Sequence, residues 1–325
     1  MRLSIIIPVF NVECYVGQAL ASIYDTKVST DDFEVIVVND GSRDRTMEVV
    51  RQFADRPNLT ILEQENQGPS IARMSGLSVA TGDYVWFMDS DDYLVEDGVG
   101  TVWRLLAEKP EVDVLMFPLL WTYAEQTRNR LDYAYYGDEL VCGKSVIKDL
   151  DLPVWANQRF VFRRSLTGNK WLFYPAVLTH EDEYFGSVLV YLSPLVRVMR
   201  EPVYHYRIRP GSLVTSQLDR SPYDMVSVHE HWVPFVGQSV DSEDKDWFRT
   251  YCFNRLHFLY AQAGIQGFPS GFCRFARSKG CYVWRQWLEV HPGTKLKKKV
   301  GKLFYYLFPG LRKRLFDLLH TMKWS

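Results

Sequence analysis

Cysteine is scarce in this 325-residue chain: Cys14, Cys142, Cys252, Cys273 and Cys281 form an odd set with no Cys-x-x-Cys spacing. Neither a disulfide framework nor a zinc knuckle follows from such a set, and a reducing compartment is the simpler expectation. No run of about 18 uninterrupted apolar residues occurs, so no membrane-spanning helix is expected. The opening MRLSIIIPVF carries one basic side chain and a short apolar run ended by Pro8, with no small-residue cleavage site. No secretory leader is expected there, and the body reads as cytoplasmic. Charge of one sign is not in excess either: 38 basic against 39 acidic side chains argue against a nucleic-acid partner. A Gly-x-Gly-x-x-Gly turn after the first apolar run is missing, which excludes a dinucleotide oxidoreductase. There is no internal repeat and no low-complexity linker.

What is present is ample core material, 47% apolar with 15% aromatic residues. Leu3 to Val9 is an apolar, β-branched run of the kind buried on both faces of a sheet. Helical spacing follows from Glu13 to about Tyr24, then a second buried strand from Phe33 to Asn39. A helix is expected from Asp44 through Phe53 and a short strand over Leu59 to Leu62. Gly68-Pro69-Ser70 opens another helix, with Pro in the first turn where its missing N–H costs nothing. A strand over Tyr84 to Met88, a helix near Val99 to Ala107 and a strand near Val112 to Phe117 complete the series. Such alternation predicts an α/β fold with a doubly wound, mostly parallel sheet. Aromatic strands are expected around Leu115 to Tyr123 and Leu131 to Tyr136, a helix from Glu181 and a strand over Val203 to Arg209. After about residue 215 the chain reads as helical, near Asp246 to Gln262 and Phe272 to Val290.

In an open parallel sheet, ligands bind beyond the carboxyl ends of the strands. Polar residues stand at three such ends: Asn11 and Glu13, Asp40, and Asp89 to Asp92. A nucleotide suits them, since an Asp can accept the imide N–H of uracil and the Gly41 backbone allows close approach. Any one cluster alone reads as an ordinary turn; three at adjacent strand ends point to a site. The run Asp89-Ser90-Asp91-Asp92 packs acids that repel one another unless a hard cation such as Mg²⁺ or Mn²⁺ sits among them. A solvated turn capping the next helix is the alternative.

Four segments resemble the family 2 glycosyltransferases, which have the GT-A fold. They are Ser4-Ile5-Ile6-Ile7-Pro8-Val9-Phe10-Asn11 with Glu13, Val37 to Thr46, Asn66-Gln67-Gly68-Pro69-Ser70-Ile71-Ala72-Arg73, and Gly82 to Asp92. A weaker likeness continues through Glu181-Asp182 to Tyr204-His205-Tyr206-Arg207 and Ser212. The resemblance implies that Pro8, Val9, Phe10, Asn11, Glu13, Asp40 and Gly41 hold the base of a nucleoside diphosphate sugar, usually UDP-linked. Asn66, Gly68 and Ser90 belong to the same donor site by their motifs. It also implies that Asp89 touches the ribose, that Asp91 binds the Mn²⁺ or Mg²⁺ bridging the phosphates, and that Arg73 approaches the diphosphate. Asp182 becomes the base that takes the acceptor hydroxyl proton in an inverting transfer; read without the upstream motifs, acids in a first helical turn merely offset the helix dipole. Two positions depart from the family pattern, which commonly has Asn where Met74 stands and Gly where His180 stands. Trp155 and Asn157 lie at a distance before Glu181 that suits the acceptor side, although a buried Trp is the plainer reading. His205 reads as a core or rim residue before it reads as a metal ligand, and His229-Glu230-His231 lacks ligand spacing.

The last 32 residues differ in kind from the rest. Nine basic side chains, from Lys295 to Lys323, stand against Asp317 alone, which leaves the body acidic. Leu296, Val300, Leu303, Phe304 and Leu307 share one helical face opposite Lys297, Lys298, Lys299 and Lys302. Pro309-Gly310 interrupts the pattern, and Leu311, Leu315, Leu318 and Leu319 resume it. A basic amphipathic pair of this kind reads as an anchor to an anionic membrane surface, with a helical hairpin packed on the body as the alternative. The expected organisation is a GT-A domain over residues 1–215, with donor motifs in 1–92 and the acceptor side and base in 93–215. A helical region follows over 216–325, with the basic tail at 294–325. The expected activity is metal-dependent transfer of a sugar to a saccharide or lipid-linked acceptor in surface polysaccharide synthesis, on the inner face of the membrane. A retaining transferase or a non-catalytic nucleotide-sugar-binding module are the alternatives.

Overall fold

The apolar runs Leu3–Val9 (β1) and Phe33–Asn39 (β2) do not alternate with polar residues, because both faces of these strands are covered. In the computed structural model, which describes residues 1–123, 126–131, 140–148, 154–172, 177, 179–209, 212, 221–266 and 272–279, every β2 residue and every β1 residue except Pro8 is buried. The two strands run parallel from Leu3↔Phe33 to Val9↔Asn39, so their carboxyl ends finish level. Leu59–Glu63 (β3) pairs in parallel with β2, and Tyr84–Phe87 (β4) pairs in parallel with the other edge of β1. The loops after β1, β2 and β4 therefore open at one end of the sheet.

Helices cover this sheet through single stripes. Val16–Tyr24 (α1) buries Val16, Ala19, Leu20 and Ile23, spaced i, i+3, i+4, i+7. The helix expected from Asp44 to Phe53 is shorter, Thr46–Arg51 (α2). Asp44 stays outside because its carboxylate accepts the Thr46 N–H at 2.9 Å, and at the other end Phe53 and Ala54 bond three residues back, closing the helix in a tight turn. Pro69–Val79 (α3) lies so close to the sheet that a Cβ on Gly76 would collide with Ile6 and sit 3.2 Å from Val38 Cγ2. Gly98–Glu108 (α4) buries Val99, Val102 and Leu106.

Strict alternation ends after β4. The strand expected near Val112 to Phe117 is Val114–Met116 (β6) of the main sheet, and the one expected around Leu115 to Tyr123 begins only after Pro118, which has no N–H to give a ladder: Leu119–Tyr123 (β7) joins a second sheet. That second sheet has the order β5-β12-β7-β8, with Tyr93–Leu94 (β5), Gln126–Leu131 (β8) and Tyr204–Ile208 (β12). In the main sheet Phe160–Arg163 (β10) inserts antiparallel between β4 and β6. Val196–Val198 (β11) then runs parallel to β6, and Leu140–Val141 (β9) lies antiparallel at the edge, just before Gly143–Lys148 (α5). The order is β3-β2-β1-β4-β10-β6-β11-β9, a mostly parallel sheet as expected.

The chain divides into two compact units, Met1–Ala176 with Phe185–Ser212, and Val177–Tyr184 with Leu213–Ser325. Glu181–Leu192 (α6) begins, as expected, at Glu181. In the second unit the helices Ser221–Gln238 and Lys245–Gln266 bury Met225, Trp232, Phe235, Phe248 and Cys252, with the Phe235 and Phe248 rings 5.5 Å apart. The helix expected to end near Gln262 thus runs to Gln266, and Phe272–Ser278 is a further helix. The rest of the expected helix to Val290, the strand beyond Leu131 and the basic tail at 294–325 lie outside the described residues.

Candidate active site

Asn11 leaves β1 in the left-handed region, at φ 52°, and its neighbours knit the loops after β1 and β2 together. The Asn11 N–H donates to Ser42 Oγ at 3.2 Å, and the Arg43 N–H donates to Asn11 Oδ1 at 2.8 Å. Glu13 repeats the pattern: its N–H donates to Asp44 at 3.1 Å, while its carboxylate accepts the Arg45 N–H at 2.8 Å and Arg45 Nε at 3.3 Å. Asn11 and Glu13 therefore shape the wall of the cradle. Phe10, 44% exposed, sits at the lip, beyond half-buried Pro8 and buried Val9.

Asp40, only 3% exposed, builds the facing wall. Its Oδ1 accepts Gln64 Nε2 at 2.7 Å and the Gln67 N–H at 2.9 Å, and its Oδ2 accepts the Gly68 N–H at 2.8 Å. An ionised carboxylate offers about four lone-pair positions, so one remains for a donor on a ligand. The same bonds fix Gly68, at φ 88°, where the chain turns into α3. Gly41, at φ 78°, is required twice over, because a Cβ there would also lie 3.1 Å from the Asn66 nitrogen. Pro8 to Glu13, Asp40, Gly41, Asn66 and Gly68 are thus brought together around the ends of β1 and β2.

The acids after β4 form the second half of the site. Carboxylate oxygens of Asp89, Asp91 and Asp92 lie within 4.8 Å of one another. Asp89 is gripped from two sides, by Arg73 Nη2 on Oδ1 at 2.7 Å and by the Gln158 amide on Oδ2. Its backbone N–H donates to the Tyr204 hydroxyl at 3.1 Å, and that hydroxyl in turn donates to Asp92 Oδ2 at 2.8 Å. Asp92 Oδ1 accepts the Arg207 N–H at 2.7 Å, so both oxygens of this buried acid are committed. Ser90 is buried between them.

Burial, and then the charges of Asp91 and Asp89, push the Asp92 carboxyl well above its ordinary range. Burial and the charge of Asp89 likewise push Asp91 up, against the pull of Arg209, whose Nε sits 2.7 Å from Asp91 Oδ2. Burial and the charge of Asp92 keep the Tyr204 phenol protonated and able to donate. These are the marks of crowded negative charge that a cation relieves. Asp91 is 21% exposed, and its carboxylate meets Arg209 and its own backbone N–H. An all-oxygen set of three carboxylates, two of them part-exposed and Asp92 buried, fits a hard divalent cation.

Asp182 belongs to the second unit. It stands in the first turn of α6 between Glu181 and Glu183, and its Oδ1 accepts the Glu183 N–H at 3.0 Å. Glu183 is buried and paired with Arg255, whose Nε donates at 2.8 Å. Glu181 is 7% exposed, whereas Asp182 is half-buried, which leaves Asp182 the most accessible acid of the three.

His205 stacks on Tyr93 with ring centres 4.4 Å apart, and its Nδ1 lies 3.0 Å from Thr122 Oγ1, both within the second sheet. Trp155 is half-buried against the Arg159 guanidinium, 5.1 Å from its ring centre, and Asn157 is buried. Sequence reasoning assigned no role to Gln158, Arg207 and Arg209. Arg207 lies in the strand whose weak likeness was noted, and Arg209 follows it; both guanidinium groups sit over Tyr15, at 5.0 and 4.8 Å. Gln158 left no local signal, because its position beside Asp89 depends on β10 pairing with β4.

The family model described as Glycosyl transferase family 2 matches residues 4–167, just over half of the chain. The glycosyltransferase GlyA of Streptococcus pneumoniae serotype 4 is 28% identical over 228 residues, 65% of this chain and 31% of that one. Among solved structures, Staphylococcus aureus TarS 1-349 in complex with UDP-GlcNAc aligns with a TM-score of 0.66 at 22% identity, covering 89% of this chain and 91% of that one. The mannosyltransferase PcManGT of Pyrobaculum calidifontis, in complex with GDP-Man and Mn²⁺, aligns with a TM-score of 0.52 at 16% identity, covering 97% of this chain and 87% of that one. At these identities the structural likeness establishes the fold, GT-A in type. The chain spans less than two thirds of the length of the curated relatives it matches, GlyA included.

Proposed function

This chain belongs to glycosyl transferase family 2, and from that premise we propose that it is a metal-dependent, inverting glycosyltransferase acting on a UDP-linked sugar. The acceptor is a saccharide or a lipid-linked saccharide in the assembly of a surface polysaccharide. The observation that carries this reading is the pairing of two features at one end of the sheet: the cradle around Asp40 and the cluster of Asp89, Asp91 and Asp92. The UDP-GlcNAc held by TarS and the Mn²⁺ held by PcManGT support the donor and the metal.

In this reading Asp40 accepts the uracil N–H through its remaining lone pair, and the backbone of residues 8–11 lines the base. Asp89, held rigid by Arg73 and Gln158, accepts a ribose hydroxyl. Asp91 is the protein ligand of Mn²⁺ or Mg²⁺. A cation held there would supply positive charge to offset that of the leaving diphosphate. Asp182 takes the proton of the acceptor hydroxyl as its oxygen attacks the anomeric carbon; the C–O bond to UDP breaks and the configuration inverts.

A panel of UDP-glucose, UDP-galactose, UDP-GlcNAc, UDP-GalNAc and GDP-mannose tests the reading. At about 100 times its Kd a true donor adds about 2.7 kcal/mol of stability, seen as a higher Tm, and does so only with Mn²⁺ or Mg²⁺ present. Equal stabilisation in excess chelator removes the metal from the reading. Stabilisation by no nucleotide sugar removes the donor.

In this reading the basic tail docks the enzyme on the inner membrane surface, within reach of a lipid-linked acceptor. Each Lys or Arg near an anionic bilayer contributes about 1 kcal/mol, and apolar insertion adds to it. Deleting residues 294–325 is expected to release the protein from vesicles containing phosphatidylserine while UDP binding persists, since the donor motifs lie before residue 93. Continued sedimentation of the truncated protein with those vesicles, or loss of its folding transition, rules the anchor out.

A further inference from the structure

His180 stands directly before Glu181 and Asp182 with φ 66°. Glycine adopts that region freely, whereas other residues hold it only where their surroundings over-determine it. The surroundings here are specific. His180 Nε2 lies 2.7 Å from the hydroxyl of Ser221, the first residue of helix Ser221–Gln238. One residue earlier, the N–H and the hydroxyl of Thr179 both donate to Asp224 Oδ2 at 3.1 Å, on the same helix. On the other side of Asp182, Glu183 is clamped by Arg255 of helix Lys245–Gln266. Burial holds the His180 ring below the usual histidine range, against the pull of Asp182 and Asp224, so the imidazole meets Ser221 as a neutral group.

We propose that His180 is a positioning residue: through Ser221 it locks the left-handed turn from which α6 delivers Asp182. The proposal rests on Asp182 being the base. A glycine at 180 would accept the same φ but leave the turn free to take others. The histidine accepts local backbone strain and, in return, ties the turn to a helix. The arrangement gives the second unit a task in the reaction, which is to hold the base-bearing turn at three points, Thr179 by Asp224, His180 by Ser221 and Glu183 by Arg255.

The test uses the full chain and measures UDP release from the best donor of the nucleotide-sugar panel, for His180→Gly, Ser221→Ala, their double variant and His180→Asn, with Asp182→Asn in parallel. His180→Gly and Ser221→Ala are each expected to lower kcat about tenfold, as small misplacements of reacting groups do. Donor KM should stay within about twofold and Tm should be unchanged. The double variant should be no worse than either single, because both remove one interaction. His180→Asn should recover part of kcat, since Asn tolerates the left-handed region and keeps a hydrogen-bonding group. Wild-type kcat in both single variants, beside a dead Asp182→Asn, overturns the proposal and leaves the base reading intact. Independent, multiplying losses in the double variant overturn it as well. Normal turnover by Asp182→Asn sinks the base reading and this proposal with it.

Discussion

Asp91→Ala is expected to abolish metal-dependent UDP binding and to lower transfer by about 10³-fold or more, because it removes the acid assigned to the cation in the proposed reading. The partners of the neighbouring acids make the choice. Asp92 has both oxygens committed, to Tyr204 and to the Arg207 N–H, and Asp89 has both committed to Arg73 and Gln158. Asp91 meets Arg209 and its own backbone N–H, neither of which ties it to a neighbouring strand of the second sheet as Tyr204 ties Asp92. The same substitution should leave the chain folded. Burial and the charge of Asp89 push the Asp91 carboxyl up while the Arg209 ion pair pulls it down, so the change removes a crowded charge and an ion pair together. For an acid whose folded pKa lies above its unfolded value, the folded state is disfavoured once pH exceeds the unfolded pKa. Isothermal titration with UDP in Mn²⁺, followed by a thermal melt of the apoprotein, reads both effects. A variant that binds UDP as before, with the same dependence on Mn²⁺, ends the metal assignment to Asp91. A variant that loses UDP binding only because its Tm collapses makes Asp91 a structural residue.

Much of this site was legible in the sequence because its parts are local. The apolar runs of β1 and β2, the polar residues that end them and the Gly68-Pro69 start of α3 each lie within about ten residues, and parallel pairing then aligns their ends without further instruction. What was not legible depends on pairings distant in sequence. β10 reaches β4 across more than seventy residues and points the other way, and with it comes Gln158. Tyr204 closes the acid cluster from a strand that pairs with β5 in another sheet. Pro118 was visible as a residue but not as the point that divides two expected, overlapping strands between different sheets. Asp40 shows a subtler limit. Its residue type and place suggested a ligand contact, yet most of its hydrogen-bonding capacity holds the loop that starts α3. A carboxylate can serve both ends, and a sequence shows only that it is there.

Asp182→Asn is expected to leave donor affinity unchanged while transfer falls roughly 10²-fold or more, the usual loss when a positioned base is removed. The substitution is close to isosteric, and an Asn oxygen can still accept the Glu183 N–H that Asp182 accepts at 3.0 Å, so the first turn of α6 keeps its geometry. What disappears is the proton acceptor. The neighbouring acids are poor substitutes for different reasons: Glu183 is buried and neutralised by Arg255, and Glu181 is buried within the same turn. Measuring Kd for UDP with Mn²⁺ separates binding from chemistry, since the donor motifs lie in the first unit and Asp182 in the second. If Asp182→Asn turns over normally and Glu181→Gln does not, the base is Glu181, and accessibility is then a poor guide to which acid in this turn meets the acceptor. If both turn over normally, the first turn of α6 carries acids only because a helix N-terminus favours them, and the proton must leave by another route.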